Sequence, residues 1–488
     1  MDATPPAAPT PSLDPTPEPI ATPTASAVAA KQPWRTWQCV LFRYALCHWL
    51  LYSLPMPLLH LLGDVTSGFG VIDRGSGPSS WTGACMAALA EVGTAWQSLT
   101  TWMSQHGLAP YEVIHQPTGS GDTAHDIAKL LAVVAASLLI TTAWSLLHRK
   151  PTAYPRLGRW LHLVVRFDVA FQILGYGLSK LYGGQFGEMS LARLTQEIGD
   201  TPPMTMVGTF MKASKSYEIF GGLGEVLGPL LLFHHRTALL GAFVTIGVMA
   251  NVCALNWLCG VPVKLYSTHL LLFSIALLAP FGERLWAVFV TNLPSNPIDL
   301  RVVRSTRARR ILVALGGMWV VGHLAASHFG YRVMRERNAP PAKSSLYGVW
   351  LVEKMLLDGQ EVPITDATRW KFLAVDRGTT AWVRAASGQQ SWFDFEWDAA
   401  AGVAKAKSRG AKDDGTQEWT IEVGKKMVPC EVPLLLRNED RRRKVDSERR
   451  TLVVKGRLGD RQLELHTYEK VFPLLKGFRL RQELPEFW

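Results

Sequence analysis

Five ionisable side chains stand in segments otherwise suited to hydrocarbon: Lys180 in RFDVAFQILGYGLSKLYG, Glu218 and Glu225 in SYEIFGGLGEVLGP, and Lys264 and His269 in VPVKLYSTH. Such groups are costly inside a bilayer unless paired or set at its surface, so each needs a partner or a task. An ammonium and an imidazole can stabilise an oxygen anion, and a nearby carboxylate can relay a proton. That chemistry makes Lys180, Glu225 and His269 the candidate catalytic residues, with Glu218, Asn251, Asn256, Lys264 and Tyr266 as substrate-binding neighbours. For any one of them taken singly, a buried hydrogen bond that locks two helices is the competing reading. Glu218 and Glu225 lie almost two helical turns apart, so they share a face, and that face must look into a bundle. Gly224 and Gly228 are spaced for close helix contact around Glu225, and Pro229 for a bend beyond it. Arg166 and Asp168 read as structural: an anchor that snorkels or pairs, and a partner for a neighbouring helix.

The elements that must carry these residues follow from hydropathy. The chain has 488 residues and is 48% hydrophobic, but the apolar runs of roughly 20 residues needed to cross a bilayer all fall before residue 331. The spans expected are 37 to 62, 127 to 147, 158 to 182, 216 to 234, 237 to 258, 263 to 281 and 309 to 330. The run 285 to 294 is too short to cross; it lies at the surface or extends the sixth helix. The fold class expected is an α-helical multi-span membrane bundle followed by a soluble all-β barrel or sandwich. Residues 1–33 hold nine prolines and no apolar core, and read as a disordered tail with no secretory signal. The transmembrane domain is then 34–330 and the β domain 345–488.

Orientation follows from short basic loops, which stay in the cytoplasm. Arg149, Lys150, Arg156 and Arg159, then Arg236, then Arg301, Arg304, Arg307, Arg309 and Arg310 all fall on one side of the expected spans. The loop 63 to 125 is acidic and belongs outside. The N-terminus is therefore expected in the cytoplasm and the β domain outside it. Lys180, Glu218 and the hairpin at Gly260 to Pro262 all reach the outer half. Within the outer loop Val92, Trp96, Leu99 and Met103 recur at helical spacing; a helix on the bilayer face and a helix packed on the bundle are both open. The net charge of +11 sits largely in the basic loops, and no basic groove studded with aromatics suggests nucleic acid. The six cysteines form no metal pattern. Cys85, Cys259 and Cys430 would face an oxidising compartment, which leaves one disulfide open.

From residue 345 onward, LYGVWLVEKMLL, RWKFLAV, TAWVRAA, SWFDFEW, EWTIEV, TLVVKGRL and QLELHTY alternate apolar and polar residues between DGQ, DRGTT, SGQQ, DDGT and GDR turns. That is an antiparallel sheet closed into a small barrel or sandwich, with GFRLRQELPEFW closing the last strand. A filled interior is favoured over a ligand cavity. The run 437 to 450 has seven bases and four acids and reads as a solvated loop, with an anionic-lipid contact as the alternative.

Arg166, then Gly177, Lys180, Leu181 and Gly183 closing a helix, then Gly222 and Glu225 before the charged turn His234 to Arg236, resemble the motifs of DoxX-type bacterial membrane proteins over 158–281. A longer DoxX-like subgroup is also similar through TGSGDT (Thr118 to Thr123), SYEIFGGLGE and LNWLCGVPVKLYSTHLLL. Where that subgroup has an acidic hairpin, this chain has Trp257, Leu258, Cys259 and Gly260. Asp122 in TGSGDT reads as a cap for the second span. The opening Gly348 and Trp350 of the β domain resemble lipocalin-like domains. The resemblance implies an inner-membrane protein with a four-helix core, linked to quinone redox chemistry or to a membrane or periplasmic protein partner. Quinone is the cofactor it implies. The alternative is a scaffold or carrier whose exported β domain binds a lipid or a partner.

Overall fold

The computed structural model describes residues 34–53, 81–409, 416–433 and 442–471, except 114, 116–119, 151, 152, 296, 297, 299, 301, 304, 338 and 340; at 81–90, 429–433 and 442–447 it describes the backbone alone. The N-terminal tail, the tail GFRLRQELPEFW, Thr118, Gly119, Arg301, Arg304, the DDGT turn and the side chains of Cys85 and Cys430 lie outside the described residues. Cys259 is a free thiol.

The N-terminal region is helical: α1 (Thr36–Ser53), α2 (Trp81–Gln105), α3 (Ala124–Leu147), α4 (Pro155–Leu181), α5 (Pro203–Ala213), α6 (Lys215–Phe233), α7 (Ala238–Leu258), α8 (Lys264–Ala276) and α9 (Thr306–Arg337). Among the described residues, five helical stretches are long and apolar enough to cross a membrane: α3, α4, α7, α8 with its continuation to Thr291, and α9. Of the seven spans expected, the other two are also helices, but more polar ones. α6 spends Lys215, Glu218 and Glu225 within its 19 residues. α1 has 18 described residues and carries Arg43 and His48, while the rest of that expected span, to 62, falls outside the described residues. The 285 to 294 run extends α8 through a π-helical turn at Ala287–Thr291.

α4 is the centre of the bundle. Its buried residues include Leu174 and Leu178 as well as Val165, Val169, Ala170 and Ile173, and the last four pack with Trp49, Leu232, Ala242, Met249 and Phe273 from the surrounding helices. By contrast α3 and α9 expose Leu138, Leu139, Leu147, Val313, Met318 and Val321, as lipid-facing helices do. α2 packs on α3: Thr100 Oγ1 meets His125 Nδ1 at 2.8 Å, Lys129 lies over Trp96, and Met103 is buried. This favours the packed helix of the two readings, although Val92 and Leu99 stay exposed.

The C-terminal domain is an antiparallel barrel of eight strands: β1 (Gly348–Leu357), β2 (Trp370–Val375), β3 (Thr380–Ala385), β4 (Gln390–Asp398), β5 (Val403–Ser408), β6 (Thr416–Pro433), β7 (Arg442–Leu458) and β8 (Arg461–Glu469). Each strand pairs with the next, and β8 pairs with β1 from Trp350↔Glu469 to Leu357↔Leu463, which closes the ring. Tight turns carry the residues that tolerate positive φ: Asp358 and Gly359, Gly378, Gly388 and Gly459. The alternation places Trp350, Met355, Trp370, Leu373, Phe393, Phe395, Trp419, Leu452 and Leu465 inside, all buried. The interior is therefore filled by side chains, as a barrel of eight strands allows. Trp350 donates to Leu346 O at 3.0 Å, and Arg450 lies 5.1 Å from its ring centroid while forking onto Glu469.

The barrel rests on the helical region through the segment after α4. Leu191 packs against Val349, Phe372, Ala374 and Trp382 on the barrel's outer wall. Around that contact Arg384 donates to Thr195 O at 2.8 Å, and Arg377 and Lys371 pair with Glu188 and Glu197 at 2.5 and 3.5 Å. Burial holds the Arg384 guanidinium below its ordinary value, and Glu197 and Asp200 act in the opposite sense. The barrel thus stands at the end of the bundle where α4 finishes.

Candidate functional site

Lys180 and Glu225 meet inside the bundle. Lys180 Nζ lies 2.5 Å from both Glu225 carboxylate oxygens, and the two residues are 5% and 4% exposed. The contact depends on glycine. A Cβ on Gly222 would lie 3.0 Å from Gly177 O and from Lys180 Cβ, and one on Gly177 would lie 2.8 Å from Val226 Cγ2. α4 and α6 therefore touch backbone to backbone one turn from the ion pair. Of the two glycines expected to make the crossing, Gly224 only brushes Val248, whereas Gly228 sits tight against Thr245 of α7.

Glu218 shares that inward face, as its spacing from Glu225 requires, and is 1% exposed. It holds Lys215 at 2.8 Å through Oε2, while its Oε1 is buried without a hydrogen-bond partner among the described residues. Lys264 goes elsewhere. Asp122 accepts from the backbone N–H of Lys264 and Leu265 at 2.8 and 2.9 Å and pairs with Lys264 Nζ at 3.3 Å. Asp122 is thus a cap, but for α8 rather than for the α3 it precedes. α3 is capped by Thr123, in a reciprocal box with Asp126.

Tyr266 and His269 belong to a second buried group. Tyr266 donates its hydroxyl to Gln172 Oε1, Gln172 donates to Asp168 Oδ1 at 2.7 Å, and Trp49 Nε1 donates to Asp168 Oδ2 at 2.9 Å. The Tyr52 ring stacks on His269 with centroids 3.6 Å apart, and His48 stacks at 5.5 Å from the same imidazole. His269 Nδ1 bonds to Leu265 O at 2.7 Å, so Nδ1 carries the proton and Nε2 is the basic nitrogen. Tyr176 joins the two groups: its ring is 6.1 Å from that of Tyr266, on the helix that holds Lys180. Asn256 is buried near the end of α7, whereas Asn251 is exposed on its outer side and does not reach either group. His48, Trp49, Tyr52 and Gln172 are members that sequence reasoning missed. An aromatic run in α1 and a Gln four residues after Asp168 were the available signals.

A groove of about 880 Å³ opens between α1 and α3, lined by Trp37, Leu41, Tyr44, Leu138 and Thr141. It lies away from Lys180, but Tyr44 reaches His48 Nδ1 at 3.5 Å and so touches the aromatic group. Among the described residues no set of three or more His, Cys, Asp or Glu side chains is placed to hold a metal ion.

No family model matches the chain, and no solved structure matches it. The uncharacterized protein YwoB of Bacillus subtilis (strain 168) is 34% identical to it over 140 residues, which are 28% of this chain and 85% of that protein.

Proposed function

We propose, for a chain that belongs to the same family as YwoB, that its helical domain is a quinone-linked or partner-dependent redox component of DoxX-like type in the bacterial inner membrane. The observation that carries this reading is the buried Lys180–Glu225 pair. Two full charges withdrawn from water at one helix crossing are an expensive way to hold two helices together, and hydrophobic packing would do it as well. The donor set fits a quinone: an ammonium and an imidazole for its oxygens, a carboxylate for its proton, and the Tyr52 and His269 rings for its plane. A bound quinone supplies two-electron, two-proton chemistry. Lys180 would hold an oxygen anion through its N–H groups, and Glu225, released from one of its two contacts, would take or return a proton. Glu218, Asn256 and Tyr266 would fix the position of the ring, and the hydrogen-bonded run from Tyr266 to Asp168 would keep the neighbouring aromatic group aligned.

The test is purification in native lipid, followed by absorbance and mass spectrometry of what accompanies the protein. A bound quinone that is lost in Lys180→Met and Glu225→Gln supports the proposal. A preparation with phospholipid alone, indifferent to both changes, overturns it. A second reading, a scaffold with the barrel as a partner platform, draws on the filled barrel interior and its seat on the segment after α4. It predicts a co-purifying protein in place of the quinone.

A further inference from the structure

In the half of α4 away from the barrel, Arg166 is 6% exposed, yet among the described residues it makes no ion pair and its Nε has no hydrogen-bond partner. What surrounds it is also basic. One turn earlier on α4, His162 donates Nε2–H to Leu277 O at 3.2 Å, and a further turn back Arg159 has a second buried, unpartnered Nε. The turn between α6 and α7 brings His235 and Arg236, and the start of α9 brings Arg309. Burial lowers the His235 imidazole below its ordinary value, and the positive charges of His234, Arg236, Arg166 and Arg309 lower it further. The Phe167 ring beside Arg166 lies 5.3 Å from that of Phe233 at the end of α6, and Gly316 of α9 faces the same Phe167 ring, so the 234–236 turn and the start of α9 lie on the same side of the bundle as Arg166. Arg166 is thus level with the end of α6 and the turn that follows it.

A buried guanidinium among like charges is unstable without a counter-ion. Its planar fork of N–H groups matches a tetrahedral oxyanion closely, and basic pockets at a helix-bundle end are suited to phosphate. We propose that Arg166, with Arg309 and the 234–236 turn, forms a binding site for a phosphate group. It is independent of the Lys180–Glu225 site, which lies 14 residues along α4, about 21 Å away at the helical rise.

The phosphate can come from an anionic phospholipid headgroup or from solution, and thermal melting of the full chain in non-ionic detergent separates the two. Dioleoylphosphatidylglycerol, dioleoylphosphatidylcholine and inorganic phosphate are added in turn. The expected result is a rise of about 5 °C at saturation with an anionic phosphate source and none with the zwitterionic lipid. A rise with the glycerol lipid alone assigns a headgroup, and a rise with inorganic phosphate as well assigns a free anion. The rise should vanish in Arg166→Gln and shrink in Arg309→Gln, whose exposed side chain carries no folding risk. Without additive, Arg166→Gln should melt no lower than the parent, because it removes an uncompensated charge. Equal melting in all three additives, or a full rise in Arg309→Gln and Arg166→Gln, would overturn the site.

Discussion

At the scale of single residues the pair Lys180–Glu225 dominates, because each side chain is stable in its place only while the other is there. Removing one partner strands the other as a buried charge, which costs about 3–5 kcal/mol, whereas replacing both with apolar groups of similar volume is close to neutral. Lys180→Met and Glu225→Gln are therefore each expected to lower the melting temperature clearly, and Lys180→Met with Glu225→Leu to recover most of the loss. A double-mutant cycle on melting temperature in detergent reads this, and strictly additive losses would mean that the pair is not coupled. The carboxylate face was legible in the sequence, since Glu218 and Glu225 repeat at helical spacing among glycines. The identity of Lys180 as the partner of Glu225 was not, because three cations and two acids reach the same level and only the crossing point chooses. The structure gives Lys264 to Asp122 and Lys215 to Glu218.

At the scale of elements, the crossing of α4 and α6 is what allows that choice, and it rests on the absence of a side chain at Gly177 and Gly222. Gly222→Val has to push the helices apart against backbone atoms, an overpacking that costs about 1–3 kcal/mol and moves Lys180 off Glu225. Its neighbour Gly221 is an internal control: nothing lies within 4 Å of a Cβ there, and Gly→Ala at an open helical position stabilises by about 0.4–1 kcal/mol. Melting temperatures of Gly222→Val below and Gly221→Ala at or above the parent are expected; the same loss in both would mean that helix propensity, not the crossing, is being measured. Hydropathy located these helices well, because twenty apolar residues are a strong signal. It overstated α6 as a simple span, since a helix that buries Glu218 and Glu225 against α4 need not be apolar throughout. The helix α5 and the turn Leu191–Leu194 escaped notice because each is short and has no long repeat.

At the scale of the whole molecule, two observations of different kind bear on how the chain sits in a membrane. The barrel's seat on Leu191, Thr195 and Glu188 ties it to the end of the bundle where α4 and Lys180 finish. Nothing in the sequence announced that contact, since Leu191 and Trp382 are nearly two hundred residues apart and periodicity is a local signal. The basic groups Arg236 and Arg309 lie toward the other end: Arg236 follows Phe233, whose ring is 5.3 Å from that of Phe167, and Arg309 precedes Gly316, which faces the same Phe167 ring. If lysine- and arginine-rich loops stay in the cytoplasm, the barrel and the Lys180 mouth must share the opposite compartment. Single cysteines, placed in a chain whose own cysteines are replaced by serine, test this directly. Ile198 and Ile364 are 77% and 80% exposed, one on the docking segment and one on the barrel, so Ile198→Cys and Ile364→Cys should both react with a membrane-impermeant maleimide in intact spheroplasts. Arg236→Cys should react only after lysis. Labelling of Arg236→Cys with protection of Ile364→Cys would invert the orientation, and opposite behaviour of Ile198→Cys and Ile364→Cys would break the barrel from its seat. The first outcome would leave the Lys180–Glu225 chemistry intact but hand it to the cytoplasm, whereas the second would remove the reason for placing the barrel beside that site at all.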